Sequence, residues 1–87
     1  MIALHSHITA TRTGDDMVLL DQRSGKYWQL NETASLVLRA LLNGATTAEA
    51  AESLKQLHPS AARRASDDVD ELVQRLLTAQ LISQERA

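Results

Sequence analysis

The chain has 87 residues, enough for one domain, and a domain of this size buries only about 60% of the surface its unfolded chain exposes. Nine Lys and Arg against 11 Asp and Glu leave a net charge of −2, which argues against the basic surplus that phosphate contacts demand of a nucleic-acid binder. The absence of cysteine excludes disulfides, thiolate catalysis and cysteine-ligated metal centres, and fits a reducing compartment.

The first third reads as strands. Ile2, Leu4 and Ile8 alternate with His5, His7 and Thr9, a period of two. Thr13-Gly14-Asp15-Asp16 is turn chemistry, and Met17-Val18-Leu19-Leu20 is an apolar run of strand length. Asp21-Gln22-Arg23-Ser24-Gly25 is a second turn, with Gly25 free to take a positive φ. Lys26-Tyr27-Trp28-Gln29-Leu30 follows, rich in strand formers. These segments predict a three-stranded antiparallel meander over residues 1–30.

Residues 31–82 read as a trihelical bundle. Asn31 is a good N-cap, Ala34, Val37, Leu38, Leu41 and Leu42 follow one helical face, and Asn43-Gly44 is a stop signal. Thr46-Thr47-Ala48-Glu49 is a capping box opening a second helix, whose inner face is expected to be Ala50, Leu54 and Leu57 and which Pro59 ends. Ser60 to Ala65 reads as a loop or an extra helical turn. Ser66 is the expected cap of the third helix, with Asp67 and Asp68 at the positive end of its dipole and Val69, Leu72, Val73, Leu76 and Leu77 on its apolar stripe. Leu81-Ile82 is an apolar tail, and Ser83 to Ala87 is expected to fray. Segregated strands and helices define an α+β domain. Met1 to Ala10 lacks the basic start and apolar core of a signal peptide, and no run approaches the roughly 18 apolar residues of a membrane span. The expected location is cytoplasmic, with no membrane partner.

Both large aromatics sit in one dipeptide, Tyr27-Trp28, and adjacent strand residues point to opposite faces. One ring covers the helices; the other either adds core bulk or lies exposed beside an unpaired strand edge, an arrangement suited to β-augmentation by an extended peptide. The acidic start of the third helix, Asp67, Asp68, Asp70 and Glu71, is either dipole complementation or a lip for a cationic peptide residue. His5 and His7 share a strand face, but no third ligand accompanies them and His58 is distant in sequence, so no metal site is expected. Glycine occurs only at 14, 25 and 44, which leaves no phosphate loop or nucleophile elbow. The expectation is a non-enzymatic protein with no cofactor.

The stretch from Val18-Leu19-Leu20-Asp21 through Gly25-Lys26-Tyr27-Trp28-Gln29-Leu30-Asn31-Glu32-Thr33-Ala34 resembles the PqqD-like family. That family's pattern is a strand ending in Leu-Asp, a turn ending in Gly, an aromatic strand, then Leu-Asn-Glu-Thr opening a helix. Asp68-Val69 with Leu72, Leu76 and Leu77 resembles its third helix, and Leu81-Ile82 its closing segment, although a Gly common before that Leu is Gln80 here. The stretch Pro59 to Ala65 is longer than the family's compact connection. The resemblance spans roughly residues 15–82. It implies a three-stranded sheet on a winged helix-turn-helix core, serving as a recognition element for leader peptides of ribosomally synthesised, post-translationally modified peptides (RiPPs). The leader would add as a strand beside Lys26, Tyr27, Trp28, Gln29 and Leu30, against a wall formed by Asp68, Val69, Leu72, Arg75 and Leu76. A free-standing chain this short looks most like the discrete leader-binding subunit of lasso peptide biosynthesis, whose partners are the precursor leader peptide, a leader peptidase and a macrolactam synthetase. The alternative within the family is a peptide carrier in pyrroloquinoline quinone biosynthesis.

Two rivals lie outside that reading. A winged-helix DNA-binding regulator would use the same topology, with Arg63-Arg64 before the recognition helix, but four carboxylates in that helix's first turns would be repelled by phosphates. The open edge also allows a weak homodimer by self-pairing.

Overall fold

A computed structural model describes residues 1–84, with Ala61 described by its backbone alone. Eight principal elements follow in order: β1 (Ile2–Leu4), β2 (Ile8–Thr13), β3 (Asp16–Asp21), β4 (Tyr27–Leu30), α1 (Glu32–Leu42), α2 (Thr47–Leu57), α3 (Ala65–Thr78) and β5 (Ile82–Gln84). A 3-10 turn, Pro59–Ala61, joins α2 to α3. The expected α+β fold is present: an antiparallel sheet in the order β2-β3-β4, followed by three helices.

Local chemistry sets each corner of the meander. Thr13 pairs with Asp16 across a two-residue loop, and Gly14 takes φ 63° at its first position, as a primed hairpin turn requires. The next turn is organised by Asp21, whose carboxylate accepts from the Arg23 amide (2.8 Å) and the Ser24 amide (3.3 Å). Gly25, at φ 76°, donates its amide to the Asp21 carbonyl. Partial burial works against ionisation of Asp21, but these amide donors outweigh it and hold its carboxyl below the ordinary value.

The helix ends obey the same logic. Asn31 Oδ1 accepts from the Ala34 amide at 3.0 Å and starts α1 where β4 ends. At the other end the Ala45 amide reaches the Ala40 carbonyl and the Gly44 amide the Leu41 carbonyl, with Gly44 at φ 98°, a Schellman closure. Thr46 and Glu49 form a reciprocal capping box on α2, at 2.9 and 3.0 Å. The Thr46 amide and hydroxyl hold the Glu49 carboxyl below its ordinary value. The core joins Met17, Leu19 and Leu30 of the sheet to Val37, Leu38 and Leu41 of α1, Leu54 of α2 and Val69, Val73 and Leu76 of α3.

Several expectations are corrected. The first predicted strand is two: the Ile8 amide donates to the His5 carbonyl, so the chain turns at Ser6-His7, and β1 leaves the sheet to pair antiparallel with β5. Residues 1–30 therefore hold four strands, and Ile82 belongs to a β-ladder rather than to the bundle. His5 and His7 sit in this turn instead of along a strand, with rings stacked at 5.5 Å. Ser83 and Gln84, expected to fray, pair with Ala3 and Ile2; the remaining predicted tail lies outside the described residues. Leu57 is 62% exposed because α2 turns Ala50, Ala51 and Leu54 inward. α3 starts one residue before Ser66, with Arg64 at the cap position and no side-chain cap.

Candidate functional site

β4 is an edge of the sheet, bonded to β3 on one side. The Asp21 amide donates to the Lys26 carbonyl, which marks a hydrogen-bonded pair. By the alternation of an antiparallel ladder, Trp28 and Leu30 then direct their main-chain groups at Leu19 and Met17. Tyr27 and Gln29 direct their N–H and C=O groups outward, along an edge with no strand beside it among the described residues. The N-terminal strand β1 pairs with β5 and leaves that edge uncovered.

Beside this edge runs a groove made of two adjoining cavities, each of about 240 Å³. The first lies along β4 and is walled by Trp28, Gln29, Leu30, Leu76 and Leu81. The second lies beyond the strand, between the start of α1 and the first half of α3, with Thr33, Val37, Leu54, Asp68 and Glu71 around it. Asn31, Ala34, Leu72 and Arg75 line both, so the two cavities lie side by side along one groove.

The face of each β4 side chain follows from its register. Trp28 is opposite Leu19 and Leu30 opposite Met17, both core residues, so Trp28 is the ring directed at the helices and the groove. Tyr27, opposite the exposed Leu20, lies on the far face of the sheet, 70% exposed. Of the residues singled out from the sequence, Trp28, Gln29, Leu30, Asp68, Leu72, Arg75 and Leu76 line the groove. Val69 is a core residue, Leu76 is mostly so, and the Lys26 and Tyr27 side chains line neither cavity. Glu71, read from the sequence as part of a possible acidic lip, lines the groove, whereas sequence reasoning missed Asn31, Thr33, Ala34, Val37, Leu54 and Leu81 as wall residues. Asn31 reads from the sequence as a cap, and nothing local shows that the start of α1 also faces α3.

The groove's rim is charged and uncommitted. Asp68, Glu71 and Arg75 make no ion pair within 4 Å among the described residues, where the pairs are Lys55–Glu52 and His58–Glu32, both 3.9 Å. Among the described residues no group of three or more potential metal ligands comes together, and no helix is long and apolar enough to cross a membrane. The arrangement supplies main-chain donors and acceptors in a row, an apolar floor and a charged margin.

An antiparallel meander with a free third strand, packed on three helices that leave a channel beside it, is the architecture of a PqqD-like domain. The chain belongs to the PqqD family: the family described as Coenzyme PQQ synthesis protein D (PqqD) matches residues 16–82. Its fold is similar to that of the structure described as lasso peptide synthetase B1 complexed with the leader peptide, with a TM-score of 0.87 and 36% sequence identity over 95% of this chain and 98% of that one. TbiB1 in complex with the TbiA(beta) leader peptide shares the fold at a TM-score of 0.83 and 17% identity, over 97% of this chain and 98% of that one. No curated protein sequence matches the chain.

Proposed function

We propose that this chain is a non-catalytic adaptor that binds the leader segment of a ribosomal peptide precursor, as RiPP recognition elements do. The leader adds as a strand to the outer edge of β4 and sets alternate side chains in the groove. The observation that carries this reading is the free β4 edge, with the main-chain groups of Tyr27 and Gln29 turned outward, lying beside a groove lined by Trp28, Leu30, Leu72 and Leu76. Main-chain pairing supplies affinity for any extended segment, and the two cavities supply sequence choice. The similar lasso peptide synthetase B1 structure holds a leader peptide and shares 36% of its residues with this chain, which supports a lasso peptide precursor as the partner. The adaptor then presents the bound precursor to a separate leader peptidase and a macrolactam synthetase. The family description favours a second reading, a peptide carrier in pyrroloquinoline quinone biosynthesis, which uses the same groove.

The single tryptophan provides the test, because Trp28 is partly buried at the groove wall. Titrating a synthetic leader, taken from a short precursor encoded beside this gene, should shift Trp28 emission to the blue as the ring is covered. Leu72→Glu, which places a charge where both cavities meet, should weaken binding by more than about tenfold, the loss expected when an interface anchor is removed. A leader that binds the folded Leu72→Glu variant as tightly as the wild type removes the groove from the mechanism.

A further inference from the structure

We infer that the groove selects its peptide by the order of two charges as well as by shape: a basic side chain opposite Asp68 and Glu71, followed two residues later by an acidic one opposite Arg75. This inference rests on the peptide-binding reading above and specifies which leaders fit that site.

Three observations carry it. First, α3 runs opposite to β4 along the groove: its first half, with Asp68 and Glu71, lies at the Asn31–Thr33 end, whereas Leu76 lies at the Trp28 end. Second, Glu71 and Arg75 are four residues apart on α3, a rise of about 6 Å, while an extended chain advances about 6.6 Å over two residues and keeps both side chains on one face. The charges of the helix therefore match the i, i+2 repeat of an added strand. Third, Glu71 and Arg75 stand at the spacing of an intrahelical pair yet form none within 4 Å, and Asp68 is also unpaired, so all three remain available to a ligand among the described residues.

The order follows from strand direction. The sheet is antiparallel throughout, and antiparallel pairing outnumbers parallel about two- to three-fold. A strand added antiparallel to β4 enters at the Asn31 end, meets Asp68 and Glu71 first and reaches Arg75 second. Read from its N-terminus, the favoured leader carries Lys or Arg, one intervening residue, then Asp or Glu.

The experiment starts from the leader that shifts Trp28 emission. Each i, i+2 pair in it is replaced in turn by Lys-x-Asp and by Asp-x-Lys, and binding is measured at low salt. At one register Lys-x-Asp should bind about tenfold more tightly than Asp-x-Lys, since two modest attractions are exchanged for two repulsions. The preference should shrink at about 0.5 M salt, where the Debye length falls well below 10 Å. The double variant Glu71→Arg with Arg75→Glu, both exposed positions, should invert it. Equal binding of the two orders at every register overturns the charge reading while leaving strand addition intact. A parent leader that fails to bind the wild type sinks the peptide-binding reading and this inference with it.

Discussion

Replacing Gln80 by glycine should stabilise the domain. Gln80 has φ 59°, the only non-glycine residue at positive φ among the described residues. It sits at the left-handed position of a Schellman closure, in which the Gln80 amide reaches the Leu77 carbonyl and the Leu81 amide the Leu76 carbonyl, both at 3.0 Å. The closure is needed because it turns the chain so that Leu81, fully buried, and Ile82 re-enter the core. A Cβ in the left-handed region costs about 1–2 kcal/mol. Glycine removes that cost but gives the unfolded chain more freedom, which offsets about 0.5–1 kcal/mol. The net gain is about 0.5–1 kcal/mol, or roughly 3–6 °C in Tm for a domain of this size. Urea and thermal unfolding of Gln80→Gly and Gln80→Ala measure it, because alanine keeps the Cβ and glycine does not. The Gln80 side chain is exposed and lines neither cavity, so leader affinity should stay level. Glycine no more stable than alanine would refute the backbone argument.

Other predictions test separate parts of the structure. Tyr27→Ala should change labelled-leader affinity by less than about threefold in fluorescence anisotropy, because its ring is on the far face, whereas Trp28→Leu should cost about tenfold or more. Ser35→Ala should stabilise by about 1 kcal/mol, read as a raised urea midpoint at constant slope, because the fully buried Ser35 hydroxyl has no hydrogen-bond partner among the described residues. The Asp21 and Glu49 carboxyls are both held below their ordinary values of 3.8 and 4.5, so their charged forms favour the native state. That stability is present above those values and is lost as pH falls through the lower native ones; urea midpoints should decline below about pH 4.5. The decline should be shallower in Glu49→Gln, which keeps a capping acceptor but does not titrate.

What the sequence discloses about this fold is what short-range chemistry controls. Asp21, Gly25, Asn31 and the Thr46–Glu49 pair each act within a few residues of themselves, so turns and caps were legible from residue type and spacing. The β1–β5 ladder was not, because it joins opposite ends of the chain and each strand has only three residues, too few to show a period. Leu57 was misplaced for a related reason: apolar residues at 50, 54 and 57 fit a helical face, but Ala51 is buried too, so the buried side of α2 is centred on 50, 51 and 54 and leaves 57 outside it.

The groove was legible on its helical wall and ambiguous on its strand wall, and the difference is physical. Alternation in β4 shows that Tyr27 and Trp28 oppose each other, but not which faces the helices; that depends on register with Leu19 and Met17, a long-range fact. On α3 the apolar stripe is wider than the core requires. Val69, Val73 and Leu76 are buried, while Leu72 remains partly exposed on the side toward β4. A helix packed directly on the strand would have buried Leu72 and closed the β4 edge. The surplus leucine marks the separation between α3 and β4, and that separation leaves space beside the unpaired edge for an added chain.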